Sequence, residues 1–492
     1  MPTMLSKSRV LSGKQCPKRL WLEVNQAELR VTTPDAKRRF RQGNLLNDVV
    51  HRLQPDGVLI GPEVALADAL QITRRHLANT PQRPLFEATF SSHQVLVRAD
   101  AFQQAGRTWR LTEVKSSTRV KPYHLLDCAV QTWIIREAGY PVEQTRLAHV
   151  DTRFSYAGDG DYAGLLKTVD VTENIEVLLP EVPGWIAQSF AALAGEQPTI
   201  DIGPQCTDPF ACPFVDHCSP PLPEYPVTGL PNGGRIVDQL LAEGIDDVRD
   251  IPAGRLTQPL QERVRLATVS GEAFLDSALT ESLRGLRYPR HYLDFETTQF
   301  VVPIWADTHP YEQLPFQWSC HSEAADGTLQ HHEFLDTSGG PPMRSCARAL
   351  IATLGQAGPI LTYSPFERTV INRLAARFPD LEEPLHALTE RIVDLLPLVK
   401  AHYYHPDMRG SFSIKAVLPT VAPHLSYDGL GEVKDGISAQ AAFEEAIDVG
   451  TATSRRQQLE QQLLAYCALD TLAMVELVKC LSRPEPREVG TT

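Results

Sequence analysis

The chain has 492 residues, longer than one hydrophobic core usually organises, so two or three domains are expected. Hydrophobic content of 42% and charged content of 22% are ordinary globular values, and a net charge of −13 excludes a protein that coats nucleic acid over its whole surface. No run reaches the roughly 18 apolar residues of a membrane span, and the opening MPTMLSKSRVLSGKQCPKRLWL lacks the apolar core and cleavage site of a secretory signal. A cytoplasmic location without a membrane partner is therefore expected, where nine cysteines serve as buried thiols or metal ligands and not as a disulfide framework.

Residues 1–41 carry ten Lys or Arg against Glu23, Glu28 and Asp35, a local excess of about seven charges that suffices to hold phosphates. Lys14, Lys18, Arg19, Arg38 and Arg39 are the nucleic-acid-binding candidates; a solvated helical face is the alternative. A β-rich stretch follows, PLFEATFSSHQVLVRADAFQQAGRTWRLTEVKSS, whose short QQAGR turn between alternating runs predicts an antiparallel hairpin. Side chains alternate across a strand, so Glu113 and Lys115 share one face and the hairpin brings Asp100 beside them. Two carboxylates on neighbouring strands suit Mg²⁺ or Mn²⁺, and a lysine beside the metal can orient the attacking water. The alternative is an ordinary cross-strand ion pair.

Three further cysteines lie six apart in QCTDPFACPFVDHCSPP, a Pro-punctuated loop in which thiols have little to pack against but can wrap a soft metal centre. With Cys206, Cys212 and Cys218 there, a four-thiolate set needs one more, and Cys16 in KQCPKRLWL is the best candidate. The order Asp100, Glu113-x-Lys115, then Gln131 on the following helix resembles the RecB-like branch of the PD-(D/E)xK nucleases, which have a restriction-endonuclease-like α/β fold. The cysteine pattern resembles that of the iron–sulfur members. The resemblance covers roughly residues 1–220 and implies metal ligands at Asp100 and Glu113, catalytic roles for Lys115 and Gln131, and a 4Fe-4S cluster stapling the two ends of the domain. Zinc on the same cysteines, or with His217, is the lesser alternative. Many members carry a His on an N-terminal helix after a Gly; QGNLLND has Asn47 there.

CSPPLPEYPVTGLPNGG marks a boundary, and residues 223–286 read as a Pro-rich linker and helical spacer. A second α/β pattern, expected over residues 287–482, opens with RHYLDFETTQF and ends with an amphipathic helix before a polar tail at 483–492. Asp294 and Glu296 share a strand face, and Tyr466 and Asp470 in AYCALDT share a helix face. Glu367 is a further acid, though Ser364-Pro365-Phe366-Glu367 also reads as a capping box. Asp394 is the reserve, and Cys467 and Cys480 read as core filler. The order D-x-E, middle acid, Y-x₃-D resembles the DEDD-type, ribonuclease H-like exonucleases. That resemblance implies a two-metal site on Asp294, Glu296, Glu367 and Asp470, with Tyr466 positioning water. Both halves together, through GSFSIKAVLP, resemble bacterial proteins fusing a RecB-like iron–sulfur nuclease to such an exonuclease.

The expected activity is metal-dependent hydrolysis of DNA, exonucleolytic on single strands or free ends, in DNA processing, repair or defence. The alternatives are a structure-specific DNA clamp with degenerate sites and an RNA exonuclease in the C-terminal half.

Overall fold

The computed structural model describes residues 4–483, which form a mixed α/β protein. The chain divides into two compact units, one running through Pro220 and including Phe300–Glu312, the other comprising Pro221–Gln299 and the chain from Gln313 onward.

The first unit is built on strands β1 (Leu5–Ser6), β2 (Val58–Leu59), β3 (Leu85–Ser92), β4 (Val95–Ala105), β5 (Thr108–Lys115), β6 (Val142–Val150) and β7 (Leu166–Asp170). They form one sheet in the order β2-β3-β4-β5-β6-β7, with β1 paired to the start of β4. Its helices are α1 (Lys7–Gln15), α2 (Pro17–Asn25), α3 (Pro34–Leu53), α4 (Leu66–Asn79), α5 (Pro122–Glu137), α6 (Thr172–Glu176), α7 (Val182–Ala194) and the short α8 (Val215–Cys218). The expected hairpin forms, with Gly106 at φ 69° in its turn. Val97, Ala99, Leu111 and Leu147 pack with Val130 and Ile134 of α5 in the main core, while Val114 faces a second cluster with Val49, Val50 and Phe86. The sheet is therefore covered on both faces, which is why a strand carrying Glu113 can bury it. Pro17 cannot continue α1, so the chain breaks at Cys16, held extended at φ −159° between α1 and α2.

Residues 172–194 are apolar enough in composition to suggest a membrane span, with mean hydropathy 1.2, but they fold as α6, a 3₁₀ turn and the 13-residue α7. A helix of that length covers about 20 Å, short of the roughly 30 Å of bilayer hydrocarbon.

The second unit adds β8 (Phe274–Leu275), β9 (Arg290–Thr298), β10 (Leu314–Glu323), β11 (Leu329–Leu335), β12 (Ile360–Thr362), β13 (Ile392–Asp394) and β14 (Tyr403–Tyr404). Five of them form a sheet in the order β11-β10-β9-β12-β13, where β9, β10 and β11 are antiparallel and β12 and β13 run parallel to β9. β8 and β14 make a separate pair. The helices are α9 (Gly234–Ala242), α10 (Pro259–Ser270), α11 (Ser277–Arg284), α12 (Met343–Leu354), α13 (Phe366–Arg377), α14 (Glu382–Glu390), α15 (Leu395–His402), α16 (Ile414–Val421), α17 (Gly436–Ala446) and α18 (Thr453–Leu481). The segment 223–286, expected as a linker and spacer, contributes Val227, Leu240, Val264 and Leu279 to this unit's core beside Tyr292 and Val475.

Candidate functional site

The first candidate site sits where two strands part. β4 and β5 pair as far as Ala101 opposite Thr112, after which the Asp100 carboxylate, and not a ladder carbonyl, accepts the Val114 N–H at 2.6 Å. Beyond that point β5 continues along β6, with Glu113 opposite Leu147, while the start of β4 pairs with β1. Asp100, Glu113 and Lys115 thus meet at the fork, as the period-2 reading expects. Gln131 of α5 is fully buried and donates to Glu113 Oε2 at 2.5 Å.

Two residues at this fork carried no weight in the sequence reading. Asp127, one turn before Gln131 on α5, hydrogen-bonds Lys115, and Lys7, the first residue of α1, lies 3.0 Å from Glu113 Oε1 and 2.8 Å from Asp127 Oδ1. Lys115 lies 2.6 Å from the same Glu113 oxygen. Burial disfavours charge throughout. For Asp100, burial and then Glu113 push the carboxyl well above its ordinary value. For Lys115 and Lys7 burial pulls downward, but the neighbouring carboxylates, Asp127 foremost, outweigh it and hold both ammoniums charged. Asp127, despite burial, is held low by Lys115 and Lys7. A hard cation here would compete with the two ammoniums that Glu113 and Asp127 share, and its oxygen donors would be Asp100, Glu113 and the buried Gln131 Oε1, which has no hydrogen-bond partner among the described residues.

Cys16, Cys206, Cys212 and Cys218 line one small cavity together with Lys18 and Arg19. The loop is tied to α1 by Gln15, whose Nε2 donates to the carbonyls of Gln205 and Phe210 at 2.7 and 2.8 Å. The Cys212 N–H donates to the Cys206 carbonyl at 2.8 Å. Burial raises the Cys212 thiol, and Cys16 and Cys206 add to the effect. Four thiols in reach of one cavity are a donor set suited to a soft metal centre. Of the basic candidates, Lys14 stacks 4.4 Å over the Trp185 ring, Lys18 points its ammonium at the Ile200 carbonyl, and Arg19 bonds Gln15 and Glu23. Lys18 and Arg19 therefore belong to the cysteine region and Lys14 packs on α7, whereas Arg38 is half-buried and Arg39 exposed on α3. Asn47 is half-buried on the same helix.

In the second unit, β9 lays Asp294 opposite Ser319 and Glu296 opposite Gln317 of β10. α18 is fixed across them by polar contacts: Gln317 Nε2 donates to the Leu463 carbonyl at 2.8 Å, and Thr471 bonds Ser319 and His321. Cys467, read as core filler, is buried but also points its thiol at Asp294 Oδ2, 3.4 Å away. The packing brings ligand atoms of Asp294, Glu296 and Asp470 within 4.8 Å of one another. They line a cavity of about 520 Å³ with Glu367 and Tyr466. Pro231 and Asn232, from the segment expected as a spacer, form part of its wall.

Burial raises every acid here, and repulsion from neighbouring carboxylates adds to it at Asp294 and Glu296. Asp294 is pushed well above the carboxylate range by burial, then by Asp470 and Glu296; Glu296 rises to about 8 and Glu367 to about 7, each chiefly through burial. Burial raises Asp470 as well. Such a cluster stabilises itself by taking up protons or a cation. The expected capping box at Glu367 does not form: Ser364 Oγ accepts the Phe366 N–H at 3.0 Å, not the Glu367 N–H, and donates to Glu367 Oε2 at 3.1 Å. Asp394 caps α15 by accepting the Leu396 N–H. Three residues missed in the sequence complete the cavity's chemistry. Tyr427 donates its hydroxyl to Asp470 at 2.6 Å, Lys415 lies 4.8 Å over the Tyr466 ring, and Tyr363 has a buried hydroxyl without a hydrogen-bond partner among the described residues.

Comparison with curated proteins finds no match. Residues 291–413 match the family model described as a domain of unknown function, DUF2779, a stretch that contains Asp294, Glu296 and Glu367 and ends before α16.

Proposed function

We propose that the chain is a cytoplasmic, metal-dependent nuclease with two active sites, one in each unit, that hydrolyses phosphodiester bonds of DNA from single strands or free ends. The observation that carries this reading is the cavity of the second unit, where three acids from β9 and α18 converge within 4.8 Å, with a fourth, Glu367, on the same wall. The fork of the first unit, with Asp100, Glu113, Lys115 and Gln131 together, supports the RecB-like half of the reading. The antiparallel start and parallel finish of the second sheet suit the ribonuclease H-like half.

Asp294, Glu296, Glu367 and Asp470 would hold Mg²⁺ or Mn²⁺ in one site, and Asp100 and Glu113 in the other. Such ions supply Lewis-acid stabilisation of the charge that develops on a scissile phosphate. The chain's own groups orient the reactants. Tyr466, buried beside Asp470, positions a water by its hydroxyl, and Tyr427 fixes the Asp470 carboxylate by its hydrogen bond. Lys115 orients a water or a phosphate oxygen at the fork, and Gln131 holds Glu113 in place. Cys16, Cys206, Cys212 and Cys218 would hold a 4Fe-4S cluster, whose role is to staple α1 and α2 to the loop after α7. The test is degradation of end-labelled DNA, with labelled RNA in competition, by variants of each site separately.

A further inference from the structure

We propose that Lys7 is a positioning residue of the first site, which holds Asp127 so that Lys115 is free to act on the phosphate; this rests on the nuclease reading of that site. The argument begins with how Lys7 arrives there. β1 is only two residues long, pairs with the start of β4 through Leu5 and Ser6, and enters beside β4 where β5 has turned away. α1 begins at the next residue, with Ser6 as its cap accepting the Arg9 N–H. The first side chain of the helix therefore projects into the fork.

Lys7 and Lys115 make parallel contacts there. Both reach Glu113 Oε1, at 3.0 and 2.6 Å, and they divide Asp127 between them, Lys7 at Oδ1 and Lys115 at Oδ2. Each of the two acids touches both ammoniums, so either lysine can serve Asp127, and Lys115 is the one the reaction needs. If Lys7 neutralises Asp127, Lys115 can leave it without stranding a buried carboxylate, a change that is otherwise strongly unfavourable. Without Lys7, Asp127 retains Lys115 as its sole counter-ion and withholds it from the phosphate. The far end of α1, about 13 Å away, leads into Cys16, and Gly13 seats the helix against Ser189 of α7 so closely that an added Cβ would lie 2.5 Å from the hydroxyl. Lys7 is thus presented by a helix fixed at both ends.

The experiment measures DNA hydrolysis by full-length protein carrying Asp294→Asn, so that only the first site contributes. Lys7→Ala is expected to lower kcat about 100-fold, the scale of a misplaced catalytic group, with KM little changed. Lys7→Arg should recover most of the rate. The deciding variant is the pair Lys7→Ala with Asp127→Asn, which removes the charge that withholds Lys115 and should be faster than Lys7→Ala alone. A purely structural lysine predicts no such recovery, because the second change removes another contact. Wild-type rate in Lys7→Ala, or no gain from adding Asp127→Asn, overturns the proposal. Lys115→Ala in parallel separates the two levels: if it abolishes hydrolysis while Lys7→Ala does not, only Lys7's role fails, and if it too is silent, the nuclease reading of this site fails with it.

Discussion

Asp470→Asn should make the metal-free protein more stable while removing its response to Mg²⁺. Asp470 shares a buried cluster with Asp294 and Glu296, their oxygens within 4.8 Å. Two unit charges at that separation repel by about 3.5 kcal/mol at an effective dielectric near 20. The raised Glu296 carboxyl gives the same scale: holding its proton at pH 7, with a value of about 8 against an ordinary 4.5, costs about 3 kcal/mol at about 1.4 kcal/mol for each tenfold. Asparagine removes one charge and keeps an oxygen for the Tyr427 hydroxyl, so about 1–3 kcal/mol of stabilisation is expected in EDTA, or roughly 2–4 °C of Tm for each kcal/mol in a unit of this size. The sign with pH follows. Between about pH 4.5 and 8 the native chain keeps a proton on Glu296 that the unfolded chain has lost, so metal-free stability falls as pH rises across that window. The variant should flatten this slope. Mg²⁺ at about a hundred times its dissociation constant would stabilise the wild type by about 2.7 kcal/mol and the variant much less. Calorimetric scans with EDTA and with Mg²⁺ read all of this. A variant that melts lower than wild type in EDTA and gains as much from Mg²⁺ would refute the argument.

Two further outcomes follow from the geometry. Anaerobically purified protein should be brown with broad absorbance, and Cys16→Ser should bleach it and loosen α1; colourless protein with stoichiometric zinc would replace the iron while keeping the four ligands. Glu367→Gln, assayed in the Lys115→Ala background, should fall in rate like Asp294→Asn if Glu367 holds metal; unchanged rate with a stability loss of at most about 1 kcal/mol would reduce it to its hydrogen bond with Ser364.

Local periodicity made the strand and helix pairs legible. Glu113 with Lys115, Asp294 with Glu296, and Tyr466 with Asp470 each share a face at fixed spacing, and the structure places each pair as that spacing requires. Contacts across long stretches of chain were not legible: Lys7 reaches Glu113 over 106 residues, and Tyr427 reaches Asp470 over 43. Asp127 did leave a signal, standing one helical turn before Gln131 on a helix already suspected. The capping box at Ser364 was not excluded by its sequence, because Pro365 suits the first helical position; the structure starts the helix one residue later, and Ser364 Oγ takes the Phe366 N–H instead. The segment 223–286 looked like a spacer because acids such as Glu243, Asp246 and Asp250 crowd its turns; those side chains stay at the surface while Val227, Leu240 and Val264 fill the core.

The most direct test of the two-site account is degradation of end-labelled single-stranded DNA in Mg²⁺ by four proteins: wild type, Lys115→Ala, Asp294→Asn and the double variant. Each single variant should retain the products of the other site, and the double variant should bind the strand without cutting it. Continued cleavage by the double variant would contradict the account.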